Sequence, residues 1–329
     1  MSEVQVVNIT PDLLRVNLPS LSYLGFINIT TNFSLTKFWY QTKKECYFQN
    51  DFVNRHRYFE LTDKLVHQSS MLDMDGLVPL AQLMQFEFII EADYWSLFLN
   101  KLAQSELLEL RNIAEKLASE SKTTIEAKYL PSSFGNSSTT TVETELCLID
   151  IDHSMENKLI FYYLFQANIE SIEKIASKID LMTMEQKEKF IEQIFQKSPL
   201  QKLPKIIYNH PFCTIRASAS PMDLLALVKC NKIKMLVKRP CFPAKIELPE
   251  EVSSAPQYSQ ILALIDEVKA FYTENQNNYI LPIMLKQSVL MELDLQGLAE
   301  LNKINGPLKE KIFSLINKEA PFTKGFINQ

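Results

Sequence analysis

Glycine is scarce in this chain. Its 329 residues include six, Gly25, Gly76, Gly135, Gly297, Gly306 and Gly325, and none stand close together. A phosphate-cradling loop needs clustered glycines, because side chains would hold the backbone N–H groups away from the anion. The scarcity therefore excludes a dinucleotide-binding fingerprint and a P-loop. It also argues against many tight hairpins, whose turns need positive φ. Cysteine is sparse as well. The five are odd in number and contain no CxxC pair, the pattern of reduced thiols in a reducing compartment. No His/Cys spacing suits zinc. Net charge is −5 and no basic block occurs, which disfavours nucleic-acid partners. No apolar run reaches the length of a membrane span, and the start, MSEVQVVNIT, lacks the basic and apolar regions of a signal peptide. The expected location is the cytoplasm.

What is present is an ordinary globular composition. Apolar residues make up 46% and charged residues 22%, enough apolar surface to build a core against the entropy of ordering. Low glycine with helical spacing of apolar residues predicts a mainly α protein. Its expected architecture is an array of helical hairpins with one short strand-like segment near 142–152. Three regions are expected: a helical domain over 1–130, a helical-pair region over 142–240 and a three-helix region over 241–329. The low-complexity loop PSSFGNSSTTT, 131–141, separates the first two. In the last region the helices fall at Tyr258–Thr273, Leu281–Leu301 and Pro307–Asn317, with Asn305-Gly306 as a stop. Leu13, Leu14, Leu18, Leu21, Leu24 and Ile27 suggest short helices broken at Pro19.

One motif looks catalytic. In LCLIDIDHS an apolar strand ends in Asp150 and Asp152, and strand alternation puts both carboxylates on one face. Two such groups can hold Mg²⁺ for phosphoryl transfer. The other reading makes Asp152 or Ser154 the cap of the following helix. The string resembles the first motif of haloacid-dehalogenase-type phosphatases, an apolar run followed by Asp-x-Asp, although His153 and Ser154 follow here. Cys213 beside His210 reads as a buried thiol, because neighbours on a proline-broken loop rarely reach nucleophile–base geometry.

Two further segments carry resemblances. FQANIESIEKIAS, 165–177, and SPMDLLALVKCNKIKMLVK, 220–238, each end an apolar helix, turn at an Asn and open a second amphipathic stretch. They resemble the helix–turn–helix junction of ankyrin repeats, and Ser220, Pro221, Met222 and Asp223 stand where that family opens a repeat. PDLLRVNLPSLSYL, 11–24, followed by Leu35-Thr36-Lys37-Phe38-Trp39, resembles an F-box. That resemblance implies docking on the adaptor subunit of a cullin ubiquitin ligase through Leu13, Leu14, Leu18 and Tyr23. Together the two resemble effectors that intracellular bacteria and poxviruses place in host cells. The expected function is therefore protein binding, as an adaptor without a cofactor or a bound metal and without enzymatic activity. The alternative is a Mg²⁺-dependent phosphotransferase or phosphatase using Asp150 and Asp152.

Overall fold

The structure is a computed structural model. It describes residues 4–33, 35–47, 54–72, 77–126, 146–167, 171–197, 210–230, 232–238, 242, 254, 256–275, 277–304 and 306–323. The loop at 131–141 and the turn residues Asn168, Asn231 and Asn305 lie outside them.

The chain is mixed α/β, which corrects the expected mainly helical array. Two antiparallel sheets, each of four strands among the described residues, alternate with helices along the chain. The first half runs β1 (Gln5–Thr10), β2 (Leu13–Ser22), α1 (Tyr23–Asn32), β3 (Lys37–Cys46), α2 (Arg55–Leu72), β4 (Gln82–Glu91), α3 (Trp95–Ala103) and α4 (Leu108–Ser121). The second runs β5 (Cys147–Ile151), α5 (Met155–Ala167), α6 (Ile172–Asp180), α7 (Met184–Lys197) and β6 (Pro211–Ala219). It continues through α8 (Pro221–Lys229), β7 (Lys234–Val237), α9 (Tyr258–Asn275), β8 (Gln287–Asp294), α10 (Leu295–Leu301) and α11 (Pro307–Glu319). Residues 13–22, 82–91, 234–237 and 287–294, all expected to be helical, are strands. Among the described residues, no helix is long and apolar enough to cross a membrane.

Scarce glycine and two sheets are compatible in this chain. Helices join most of the strands, so few tight turns are required. Between β1 and β2 a hairpin turns at Pro11 and Asp12. Positive φ occurs at Gly306, Asn54 and Lys122 among the described residues. A chain built this way needs little glycine, whatever its strand content.

Contacts divide the chain into two units that interleave in sequence. Unit 1 holds residues 1–142, 220–222 and 239–287, and unit 2 holds 143–219, 223–238 and 288–329. In unit 1 the sheet order is β1-β2-β4-β3. Both β2 and β3 pair antiparallel with β4, so they run the same way on either side of it. Leu14, Val16 and Leu18 of β2 are buried, as are Met84, Phe86, Phe88 and Ile90 of β4. Arg15 and Glu87 point to the other face and pair there at 2.7 Å. This is the period of two expected of a strand with one covered face. Pro19 is buried where the β2–β4 ladder shifts register, a place that tolerates a residue without an N–H. On the covered face lies α1, with Phe26 edge-on to Phe38 and Phe86 and tilted against Tyr40.

Also in unit 1, α9 lies against α2. Arg57 and Lys64 of α2 both reach Glu267 of α9, at 2.8 and 3.2 Å. Residues near Pro79 and Pro282 form a bridge with reciprocal backbone bonds. Leu80 N–H donates to the Leu281 carbonyl and Ile283 N–H to the Val78 carbonyl, each at 2.8 Å.

In unit 2 the sheet order is β5-β6-β8-β7. Cys213, Ile215, Ala217 and Ala219 of β6 are buried, with Val289, Met291 and Leu293 of β8. Thr214, Arg216 and Ser218 alternate with the β6 set and are half-buried.

Each half of the chain lays down the same strand order, with helices at the same points along the sequence. The run β1-β2-α1-β3-α2-β4-α3-α4 corresponds to β5-β6-α8-β7-α9-β8-α10-α11. One constant shift in numbering carries Arg55 to Tyr258, Leu72 to Asn275, Pro79 to Pro282 and Glu91 to Asp294. Under it, buried Tyr58, Leu61, Thr62 and Leu65 match buried Ile261, Leu264, Ile265 and Val268. Buried Met84, Phe86, Phe88 and Ile90 match buried Gln287, Val289, Met291 and Leu293. The chain is an internal duplication. Its largest asymmetry is an insertion: Pro11 and Asp12 join β1 to β2, whereas residues 152–210, with α5–α7, join β5 to β6.

Candidate functional site

Asp150 and Asp152 do not form a matched pair. The β5–β6 ladder shifts register between Leu148 and Asp150, and Asp152 lies beyond the strand end. Asp150 is exposed and Asp152 half-buried. Asp152 Oδ1 accepts from the Ser154 N–H at 2.9 Å and from Ser154 Oγ at 2.5 Å. Its Oδ2 accepts from Lys158 Nζ at 2.7 Å. His210 Nε2 lies 3.2 Å from Asp152 Oδ2 and from Lys158 Nζ. Ser154 in turn takes the Lys158 N–H on its carbonyl, at 3.0 Å, and opens α5. Partial burial raises the Asp152 pKa, but the bonds from Lys158 and Ser154 outweigh it and hold the carboxyl down at about 2. The cluster ties the entry of the insertion to the strands that flank it.

Among the described residues, no three His, Cys, Asp or Glu side chains gather as a metal-holding group. Cys213 is buried, and burial, followed by the charge of Asp150, pushes its thiol up to about 12. It is a poor nucleophile at neutral pH. Replacing Asp152 with Ala removes an Asx turn and a half-exposed ion pair. We expect a loss of about 1 kcal/mol in urea unfolding, mostly from the turn that starts α5.

The residues expected to dock a partner lie in the fold of unit 1. Leu13 is half-buried on β2, and Leu14, Leu18 and Tyr23 are buried.

A second polar site was not anticipated. Glu109, in the first turn of α4, is buried with its whole carboxylate. One oxygen accepts from the Ser22 N–H at 2.7 Å and the other from Ser22 Oγ at 2.5 Å. Tyr279 O–H donates to the second oxygen at 3.5 Å. Ser22 Oγ also caps α1 by accepting from the Gly25 N–H at 2.9 Å. Here glycine is required by space: a Cβ at Gly25 would stand 2.7 Å from Leu21 Cδ1 and 2.9 Å from Glu109 Oε2. Burial raises the carboxyl to about 7 against the opposing bonds from Ser22 and Tyr279. Burial also drives the Tyr279 hydroxyl far above its ordinary range.

The second half has no acid at the corresponding position. Aligning the first residues of α4 and α11 sets Ile113, Ala114 and Leu117 against Ile312, Phe313 and Ile316, all buried. Leu308 then stands at the place of Glu109. One signal for Glu109 was readable. It sits four residues before Ile113 on the stripe formed with Leu110, Ala114 and Leu117, where a charged residue needs a reason.

These features define a duplicated mixed α/β protein with a helical insertion in its second copy and a buried acid in its first. No protein-family model matches the chain, and none of the curated proteins compared with it matches.

Proposed function

We propose that this chain is a protein-binding protein and that the α5–α7 insertion is its docking surface. The supporting observation is what the insertion displays. Leu181 is 84% exposed and Met184 62% exposed, at the junction of α6 and α7. Phe165 of α5 and Ile172 of α6 are exposed as well. Beneath them the insertion is anchored by buried Met155, Leu159, Ile160, Ile175, Ile179, Ile191 and Ile194. Large apolar side chains held in water on an ordered element are costly unless a partner covers them. The first copy builds the same sheet without such an element, so the fold does not require it. The adaptor reading suits this surface better than β2 and α1, because Leu14, Leu18 and Tyr23 are already buried.

The test is a pair of substitutions at the junction. Leu181→Ser with Met184→Ser should leave the melting temperature within about 2 °C of the parent, since neither side chain is core. It should also weaken a crosslinked or co-purified protein partner at least about tenfold, as expected when interface anchors are lost. Partner capture unchanged by the double substitution would remove the insertion from the interface. Mg²⁺-dependent phosphate transfer by the parent, lost on Asp150→Ala with Asp152→Ala, would replace protein binding with the enzymatic reading.

A further inference from the structure

The two copies of the fold expose the same sheet edge and treat it differently. In unit 2 the edge strand β5 carries the exposed charge of Asp150. The opposite edges, β3 and β7, carry Lys37 and Lys43, and Lys234. Charges on edge strands discourage further pairing, because a second strand would have to bury or oppose them. β1 has no such guard. Its sequence is QVVNIT, without a charge or a proline. It pairs with β2 on one side, and among the described residues no strand pairs on the other. Val7 is 54% exposed and Ile9 47% exposed. The ladder to β2 is regular from Gln5 to Asn8 and shifts only between Asn8 and Thr10.

An unpaired edge presents alternating N–H and C=O groups, and the group that satisfies them is another extended backbone. We propose that β1 pairs with β1 of a second copy of this chain, antiparallel and about a two-fold axis, joining the two copies of the unit 1 sheet edge to edge. Self-pairing suits this strand in particular. In an isologous contact every residue meets its own kind or a near neighbour, so a charged strand would oppose like charges. QVVNIT opposes none. Its outward β-branched side chains, Val7 and Ile9, would pack across the new seam, where such residues fit a pleated surface. The unit 1 sheet is already antiparallel, so the added strand continues its geometry.

The test uses the full chain. Sedimentation velocity over a roughly hundredfold range of concentration should show a monomer–dimer equilibrium that shifts with concentration. Val7→Lys with Ile9→Lys should weaken self-association at least about tenfold, by placing like charges across the seam. Leu290→Lys, on β8 of unit 2, should leave it unchanged. Should the double variant melt well below the parent, amide exchange of the parent decides instead. β1 amides should exchange more slowly at high concentration than at low. A parent that stays monomeric throughout, a dimer that survives both lysines in a folded variant, or β1 exchange indifferent to concentration would each overturn the proposal. So would a monomeric parent that instead accepts an extended peptide from another protein.

Discussion

Replacing Glu109 with Ala is expected to cost about 3 kcal/mol of folding stability at pH 5. Two effects add. The Ser22 N–H, buried at the β2–α1 junction, loses its acceptor, and an unsatisfied buried donor costs about 1–3 kcal/mol. The rest is the space left by the carboxyl and its methylenes beside Ser22 and Gly25. Glu109→Gln is the informative control. Its amide oxygen can still accept from Ser22 N–H, and it fills the same volume. At pH 5, where Glu109 holds its proton, the Gln variant should fall within about 1 kcal/mol of the parent. Urea unfolding of both variants beside the parent measures this. A Glu109→Ala protein as stable as the parent at pH 5 would mean that the Ser22 contact contributes nothing.

Raising the pH should destabilise the parent by about 3 kcal/mol between pH 4.5 and 7, through Glu109. The sign follows from its raised pKa. Between its ordinary value of 4.5 and its folded value of about 7, the folded chain holds a proton that the unfolded chain has released. Stability then falls as pH rises through that window and levels off above it. Glu156 and Asp294, both raised first by burial, act in the same direction. Asp152, held down at about 2, acts oppositely but only in more acidic solution, where its stabilisation is lost as pH falls. Melting temperatures between pH 5 and 8 should therefore decline for the parent and stay flatter for Glu109→Gln. The two curves are expected to cross, with Gln the more stable protein at pH 8. A parent whose stability rises over this range would show that the carboxyl is not held neutral at pH 5.

One copy keeps a carboxylate where the other has Leu308, and one copy carries a helical insertion where the other has Pro11 and Asp12. A fold that closes without either feature has been given both. A buried acid titrating near neutrality and an ordered element displaying Leu181 and Met184 are where function is most economically sought.

The sequence by itself determined composition-level facts. Apolar content was enough for a core to form. It also marked the helices at 258–275 and 307–319 to within a few residues, because long amphipathic periodicity with Pro307 and Gly306 at the start is a local signal. It marked a strand within 142–152 from the alternation of Val142, Thr144, Leu146 and Leu148, and the described strand is Cys147–Ile151. Tertiary structure decided the rest. Residues 82–91 satisfy helical spacing at Leu83, Met84 and Phe88, and strand spacing at Met84, Phe86, Phe88 and Ile90. Over so short a run the two periods are not separable without knowing the neighbours. β2 and β3 on either side supply the backbone partners that select the strand. The duplication was hidden for a related reason. What the copies share is the burial of position after position, as Thr62 and Ile265 or Met84 and Gln287 show, while the side chains that fill those positions differ. Burial is a property of the folded whole, and only the folded whole displays it.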